Sequence, residues 1–280
     1  MYLKVTAQSA CLGRAVDFHV LLPTQDGYPA PPVPYRTLYL LPGYSASAEE
    51  IAFSLPLRQM ATLYGFAVVL PDGENSFYTD HPERASCHGQ YAGEELVRIT
   101  RRLFPSLSCR REDTFLGGIS MGGYGALMLG LKYRDTFSGL VMFSPAADPK
   151  SLLLPAGLSP DGTSAAPEVN SQDAPPELPA GLFAQLFGDP AAYESSSRLN
   201  PMAMLEKYRQ EGLAFPPLWM CCGDQDQVVG ESCLRLREAL FKAGAPLRWE
   251  SGPGGHDFPY WDDHLESAFR FLAEISREPA

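Results

Sequence analysis

A serine flanked by two glycines, in residues 118–122, constrains the fold of this chain more than any other feature. Residues 114–117 indicate a short buried strand before it, and residues 123–129 indicate a helix whose first turn carries small side chains. A chain that turns this sharply from strand to helix needs glycine at both flanking positions, because no side chain fits there. The pattern predicts a nucleophile elbow, in which the Ser120 hydroxyl stands above the sheet edge and the backbone N–H of Met121 faces a developing oxyanion.

Continuous apolar runs predict the centre of a sheet. Such runs suit strands that are covered on both faces, and they occupy residues 37–41, 66–70, 140–143 and 218–222. Apolar residues at helical spacing follow, in residues 91–103, 233–240 and 261–275. Strands that alternate with helices predict an α/β fold with a mostly parallel central sheet and helices on both faces. At 280 residues the chain suits one domain spanning residues 1–280.

One proline-rich segment interrupts this alternation. Residues 155–179 contain six prolines, several small residues and no hydrophobic period. A structureless connection of this length is uncommon inside a compact domain. The segment predicts an insert at about residues 150–180, either disordered or forming a lid over the ends of the strands.

Charge and cysteine content narrow the range of partners. A formal net charge of −11 argues against nucleic acid and anionic membrane surfaces, and no apolar run approaches the roughly 18 residues that span a bilayer. The first residues lack the charged start and long apolar core of a signal peptide. The six cysteines form no C-x-x-C pair, and Cys221 and Cys222 are neighbours in a predicted strand. We therefore expect a cytoplasmic protein without a metal site. The sequence leaves open whether the protein is a monomer or a homo-oligomer.

A serine nucleophile needs a base, and His256 is the best placed of five histidines. It follows the glycine-rich residues 251–255 and precedes the last predicted helix. In a chain ordered serine, acid, histidine, the base must reach the elbow from this position. The sequence therefore predicts His256 as the general base.

The other four histidines have plainer interpretations. His19 lies in residues 16–20, where apolar and polar side chains alternate, so we expect a strand with one solvated face and a solvated His19. His264 falls on the predicted exposed face of the last helix. His81 and His88 flank a polar loop, which suits the border of a substrate pocket.

The acid that orients the base should follow a strand between Ser120 and His256. Residues 223–229 offer Asp224 and Asp226 directly after one of the apolar runs. Asp226 lies farther into the loop, from which its side chain can turn back to the histidine. Asp224 is the alternative, or it caps the loop through the backbone. We expect Asp226 to be the acid.

A second oxyanion donor is expected in the loop after an early strand. Residues 40–45 fit, because Gly43 permits a close approach of the backbone and the N–H of Tyr44 would face the substrate carbonyl. The alternative is an ordinary Pro-Gly turn. One such donor contributes roughly 3–4 kcal/mol to catalysis.

Together these motifs resemble one enzyme family, the tributyrin esterase branch of the esterase D family, which includes S-formylglutathione hydrolases, feruloyl esterases and carbohydrate acetyl esterases. The resemblance rests on five segments in the family's order, residues 38–44, 75–80, 93–96, 118–126 and 252–257. It implies an α/β-hydrolase fold and hydrolysis of short-chain acyl esters, on small molecules or on acetylated or feruloylated carbohydrate, without a cofactor. It also implies a triad of Ser120, Asp226 and His256, with the N–H groups of Met121 and Tyr44 as the oxyanion hole.

Two departures from that family limit what can be transferred. The tributyrin branch usually has a histidine before the glycine of the oxyanion loop, where this chain has Pro42. The proline-rich segment is also longer than expected, and substrate specificity is therefore not transferred. Alternatives are an S-formylglutathione hydrolase, an acyltransferase of the same fold, or a binding protein that kept the fold without catalysis.

Overall fold

An eight-stranded sheet organises the computed structural model, which describes residues 1–24, 31–154, 179 and 181–276. The described strands are β1 (Tyr2–Ser9), β2 (Arg14–Leu21), β3 (Arg36–Leu41), β4 (Phe66–Pro71), β5 (Asp80–His81), β6 (Ser86–Cys87), β7 (Thr114–Ile119), β8 (Gly139–Phe143), β9 (Leu218–Gly223) and β10 (Leu247–Gly252). Their order in the main sheet is β1-β2-β4-β3-β7-β8-β9-β10, while β5 and β6 pair separately. β2 runs antiparallel to β1 and β4, and the remaining neighbours of the main sheet are parallel.

Helices cover both faces of this sheet. Their bounds are α1 (Ala48–Ser54), α2 (Leu57–Tyr64), α3 (His88–Gln90), α4 (Leu96–Leu103), α5 (Met121–Lys132), α6 (Pro149–Leu153), α7 (Leu182–Phe187), α8 (Pro190–Ser195), α9 (Pro201–Gln210), α10 (Gly230–Lys242) and α11 (Phe258–Ile275). A π-helical turn, Tyr91–Glu95, joins α3 to α4, and short 3-10 turns span Pro82–Arg84 and Arg111–Asp113. Helices α1, α2 and α11 pack on one face, and α4, α5, α9 and α10 pack on the other. No helix in the described ranges is both long and apolar enough to cross a membrane.

The predicted fold class is confirmed. The apolar runs form β3, β4, β8 and β9, and the strand before the central serine is β7. Cys221 and Cys222 pack into different hydrophobic clusters, because neighbouring residues of a strand face opposite sides of the sheet. Most of the proline-rich segment, residues 155–178 and 180, lies outside the described residues, so the lid stays a prediction. A single domain over residues 1–280 also stays a prediction.

The expectation for His19 is wrong. Its side chain is buried, because α1 packs over β2 and the ring of Tyr2 covers the histidine at a centroid distance of 5.5 Å. The Tyr2 hydroxyl also bonds His19 Nδ1. Burial holds the pKa of His19 below its usual value. The alternation of apolar and polar residues along β2 therefore wrongly predicted an exposed His19, because the residues that bury it belong to β1 and α1.

Candidate active site

Ser120 stands on a strained turn between β7 and α5. Its φ and ψ are 55° and −115°, values that a residue with a side chain seldom adopts. Backbone hydrogen bonds hold the turn: Ser120 N–H donates to Phe143 O at 2.9 Å, and Ser120 O accepts from Ala146 N–H at 2.9 Å. The strain persists because β8 and the loop after it hold the turn in place.

Two glycines make this turn sterically feasible. A Cβ atom at Gly118 would lie 2.0 Å from the carbonyl oxygen of Gly122, and one at Gly122 would lie 1.9 Å from the carbonyl oxygen of Leu41. Contacts this short are not tolerated between non-bonded atoms, so both positions require glycine. The second distance also shows that the start of α5 lies directly against the end of β3.

The structure brings three predicted side chains into one hydrogen-bonded series. His256 Nε2 lies 2.9 Å from Ser120 Oγ, and His256 Nδ1 lies 2.8 Å from Asp226 Oδ2. Asp224 is exposed, whereas Asp226 is buried. All five histidines are in described ranges, and His256 is the one that hydrogen-bonds Ser120. A serine, a histidine and a carboxylate in this order can pass a proton from hydroxyl to imidazole.

Asp226 is oriented by its own loop. Its Oδ1 accepts from the N–H groups of Val228 at 3.0 Å and Val229 at 2.9 Å. Burial, the largest influence, raises the pKa of the Asp226 carboxyl, but hydrogen bonds from His256, Val229 and Ser144 together bring the pKa below its ordinary value. The carboxyl is therefore ionised at neutral pH and can hold a protonated imidazole.

Trp261 and Ser144 contact the histidine and the acid, a role that no sequence pattern indicated. The Trp261 ring meets the His256 ring edge to face at 5.2 Å. Its Nε1–H donates to Ser144 Oγ at 3.2 Å, and the Ser144 hydroxyl is one of the groups that lower the pKa of Asp226. The sequence placed Trp261 only in the packed stripe of the last helix, where it does lie buried.

The two predicted oxyanion donors lie beside the serine. Gly43 approaches so closely that a Cβ atom there would be 3.4 Å from Ser120 Cβ. Among the described residues, the backbone N–H groups of Tyr44 and Met121 donate to no backbone or side-chain acceptor. Two unpaired N–H groups next to a serine hydroxyl can donate hydrogen bonds to a ligand oxygen.

His81, His88 and His264 make no hydrogen bond to Ser120. His88 is buried, and burial lowers its pKa. His81 contacts Thr79 Oγ1 at 3.2 Å, and His264 Nδ1 lies 2.9 Å from Tyr260 O, so these rings serve local structure. In the part of the chain that the structure describes, no three histidine, cysteine or acidic side chains are grouped to hold a metal ion.

A groove of about 600 Å³ lies between the loop that follows β8 and helices α6, α8, α9 and α10. Charged side chains line it in two ion pairs, Lys150 with Glu194 and Arg235 with Asp148. The second pair measures 3.1 Å. The groove starts at Ala147, directly after the residue whose N–H binds the Ser120 carbonyl.

Solved structures share the architecture of this protein. Two from Staphylococcus aureus, the fluorophosphonate-binding serine hydrolase FphF and an S-formylglutathione hydrolase (FrmB), each align with a TM-score of 0.79 over 98% of both chains at 24% identity. At this identity the likeness establishes the fold, which is that of an α/β-hydrolase.

The family follows from sequence comparison. The Esterase family model, described as "Putative esterase", matches residues 9–272, and the chain belongs to this family. The acetyl esterase of Caldicellulosiruptor saccharolyticus is 34% identical over 241 residues, which cover 86% of this chain and 84% of that enzyme. The protein is a serine carboxylic ester hydrolase, and the resemblance to esterase D-like hydrolases is confirmed.

Proposed function

We propose that Ser120, His256 and Asp226 are the catalytic triad of this ester hydrolase. The observation that carries the proposal is the unbroken hydrogen-bonded series from Ser120 Oγ through His256 to Asp226, with links of 2.9 and 2.8 Å. The strained φ of Ser120 supports it further, because such strain clusters at functional sites.

In the proposed reaction, Ser120 Oγ attacks the ester carbonyl while His256 Nε2 takes the hydroxyl proton. His256 then donates that proton to the leaving alcohol, and an acyl group stays on Ser120. Water, deprotonated by His256, attacks the acyl carbonyl. The bond to Ser120 Oγ then breaks, His256 returns the proton to that oxygen, and the acid leaves. Asp226 holds His256 Nδ1–H throughout and stabilises the imidazolium by its negative charge.

The backbone N–H groups of Tyr44 and Met121 are the proposed oxyanion hole. Both are without an acceptor among the described residues, and both flank the serine. Donors that are already aligned stabilise the tetrahedral intermediate without reorganisation cost.

The proposed substrates are esters of short acyl chains, including acetylated or feruloylated carbohydrate. The similarity to an acetyl esterase favours acetyl groups. An S-formylglutathione hydrolase of Paracoccus denitrificans, 28% identical over 163 residues, makes formylglutathione the second candidate. The free thiols of all six cysteines suit the proposed cytoplasmic setting.

A substrate panel tests the proposal. Purified enzyme is assayed with nitrophenyl acetate and butyrate, formylglutathione, and acetylated and feruloylated sugars, and is labelled with a fluorophosphonate. We expect hydrolysis of the acetyl ester and labelling at Ser120, both abolished in Ser120→Ala. Hydrolysis that survives in Ser120→Ala would refute the triad, and a preference for formylglutathione would replace the substrate class.

A further inference from the structure

The proposed oxyanion loop, residues 42–45, is held at both ends by the segment that follows β4. The Tyr78 hydroxyl donates to the carbonyl oxygen of Pro42 at 2.9 Å. At the other end, the N–H of Ser45 donates to Asn75 Oδ1 at 2.6 Å. Pro42 has no N–H, so its carbonyl is its only backbone group that can anchor the loop. Tyr44 therefore lies between two fixed points.

The segment that makes these bonds is itself fixed. Asn75, Phe77 and Tyr78 have φ values of 55°, 49° and 53°, in the left-handed region. Tyr78 is 5% exposed, and a Cβ atom at either Gly73 or Gly125 would lie 2.5 Å from its side chain. The position of the Tyr78 hydroxyl is thus determined by packing on two sides.

The same segment also reaches the second proposed donor. The N–H of Phe77 donates to Met121 Sδ at 3.3 Å, and the Phe77 ring lies 6.3 Å from the ring of Tyr44. One short stretch of chain therefore contacts both residues of the proposed oxyanion hole. No local sequence pattern predicts these contacts, because they join residues that lie 30 to 44 positions apart.

We propose that Tyr78 and Asn75 are positioning residues that aim the Tyr44 N–H at the oxyanion. The inference rests on the proposed oxyanion hole and extends it, since it names the side chains that hold the loop. A donor stabilises the intermediate only within about 2.7–3.1 Å of the oxyanion. A loop released at either end loses that alignment, although substrate binding in the ground state persists.

Two variants test the proposal, each releasing one end of the loop. Tyr78→Phe keeps the ring and removes the donor to Pro42. Asn75→Gly removes the acceptor for Ser45, and glycine tolerates the left-handed φ of this position. We expect kcat for nitrophenyl acetate to fall about tenfold in each, because a small misplacement of a catalytic group costs up to about 10² in rate. KM should change by less than about twofold, since the lost interaction acts in the transition state.

A trifluoromethyl ketone provides a second readout, because it forms a tetrahedral oxyanion adduct on the serine. Its affinity should fall by the same factor as kcat in both variants. Tyr208→Phe is the matched control: it removes a bond from another buried tyrosine hydroxyl to a carbonyl, that of Leu131 near the far end of α5. This control should lower the melting temperature and leave kcat unchanged.

The outcomes separate the inference from the proposed function. Tyr78→Phe and Asn75→Gly that melt earlier but keep wild-type kcat and ketone affinity would overturn the inference and make both residues structural. Failure of the proposed function has another signature: wild-type protein without ester turnover and without fluorophosphonate labelling. A fall in kcat that is matched in Tyr208→Phe would also overturn the inference, since general loosening would then explain it.

Discussion

Turns with a left-handed φ occur at both the carboxyl edge and the amino edge of the sheet, but different residue types occupy them. Among the described residues, eight non-glycine residues have φ in the left-handed region, and seven of these follow the carboxyl ends of β3, β4, β7 and β8: Ser45, Glu74, Asn75, Phe77, Tyr78, Ser120 and Ser144. Before the amino ends of β4, β9 and β10, the left-handed positions are glycines, Gly65, Gly212 and Gly244. The strain is therefore concentrated at the edge that carries the candidate site.

This difference shows what the carboxyl edge needs. A glycine adopts a left-handed φ freely, whereas a residue with a Cβ atom loses roughly 1–2 kcal/mol. Ser120, Ser144, Asn75 and Tyr78 each use the side chain that glycine lacks to make a hydrogen bond at the site. The carboxyl edge is therefore less stable than it could be, because its strained residues carry polar side chains that the site uses. The glycines of the amino edge carry no such strain.

The largest effect that tests this comparison is expected at Ser120. Ser120→Gly and Ser120→Ala should each lower turnover by about 10⁶, because both remove the proposed nucleophile. Only glycine relieves the strained φ, so Ser120→Gly should be about 1 kcal/mol more stable than Ser120→Ala. Ester assays and thermal unfolding measure the two effects. Equal stabilities would show that Ser120 carries no strain.

The next effect should separate two acids in one loop. Asp226→Asn should lower kcat by about 10⁴, because the amide holds the wrong imidazole tautomer. Asp224→Asn, the matched control two residues away, should retain kcat, because Asp224 is exposed. Initial rates on folded variants, verified by circular dichroism, measure the difference. The reverse result would move the proposed acid to Asp224.

A buried carboxylate away from the strained loops should affect stability alone. Glu95 accepts from Ser9 Oγ at 2.5 Å and Ala10 N–H at 2.9 Å. Burial, the largest influence, raises the pKa of Glu95, but these hydrogen bonds bring it below the usual value. Glu95→Gln should therefore lower the free energy of unfolding by about 2 kcal/mol at neutral pH with kcat unchanged. Glu94→Gln, exposed and adjacent, is the control.

This stability difference should depend on pH in one direction. Because the folded pKa of Glu95 lies below the unfolded one, the advantage of the wild type is complete above about pH 4.3, the unfolded pKa. It should disappear as the pH falls through the lower folded pKa. Denaturant unfolding between neutral and acidic pH measures it, and a difference that grows on acidification would contradict this account of Glu95.

The smallest effect is expected at the amino edge of the sheet, where the left-handed positions are glycines. Gly244 has a φ of 75°, and a Cβ atom added there meets nothing within 4 Å. Gly244→Ala should cost about 1 kcal/mol of stability through the backbone alone, and leave kcat unchanged. Thermal unfolding tests the cost. A variant as stable as the wild type would remove the contrast between the two edges.

The centre of the fold was predictable because both faces of its strands are covered. β3, β4, β8 and β9 are continuous apolar runs, so composition alone reveals them. β1 and β10 were not predicted, because each is partly exposed and has no such run. His19 was misjudged for a related reason: its cover, Tyr2, belongs to another strand.

The candidate site was predictable only where its requirements are local. The sharp turn at Ser120 demands neighbouring glycines, and the loop before His256 is rich in glycine, so both leave a pattern in the sequence. Asp226 was preferred over Asp224 only because it lies farther into the loop, since residues two apart in a loop share most local signals. The hydrogen bonds of Tyr78 and Trp261 left no pattern in the sequence, because their partners, Pro42 and Ser144, are distant in the chain.

The contact between Gly122 and Leu41 has a consequence for protein engineering. Between the start of α5 and the end of β3 there is room only for the hydrogen of Gly122, since a Cβ atom at Gly122 would lie 1.9 Å from the Leu41 oxygen. Mutant libraries designed to alter substrate choice should therefore keep glycine at position 122. Any larger residue would push the turn that carries Ser120 away from the proposed oxyanion loop. The ion pairs of Lys150 and Arg235 lie near the surface, and substitutions there should cost little stability.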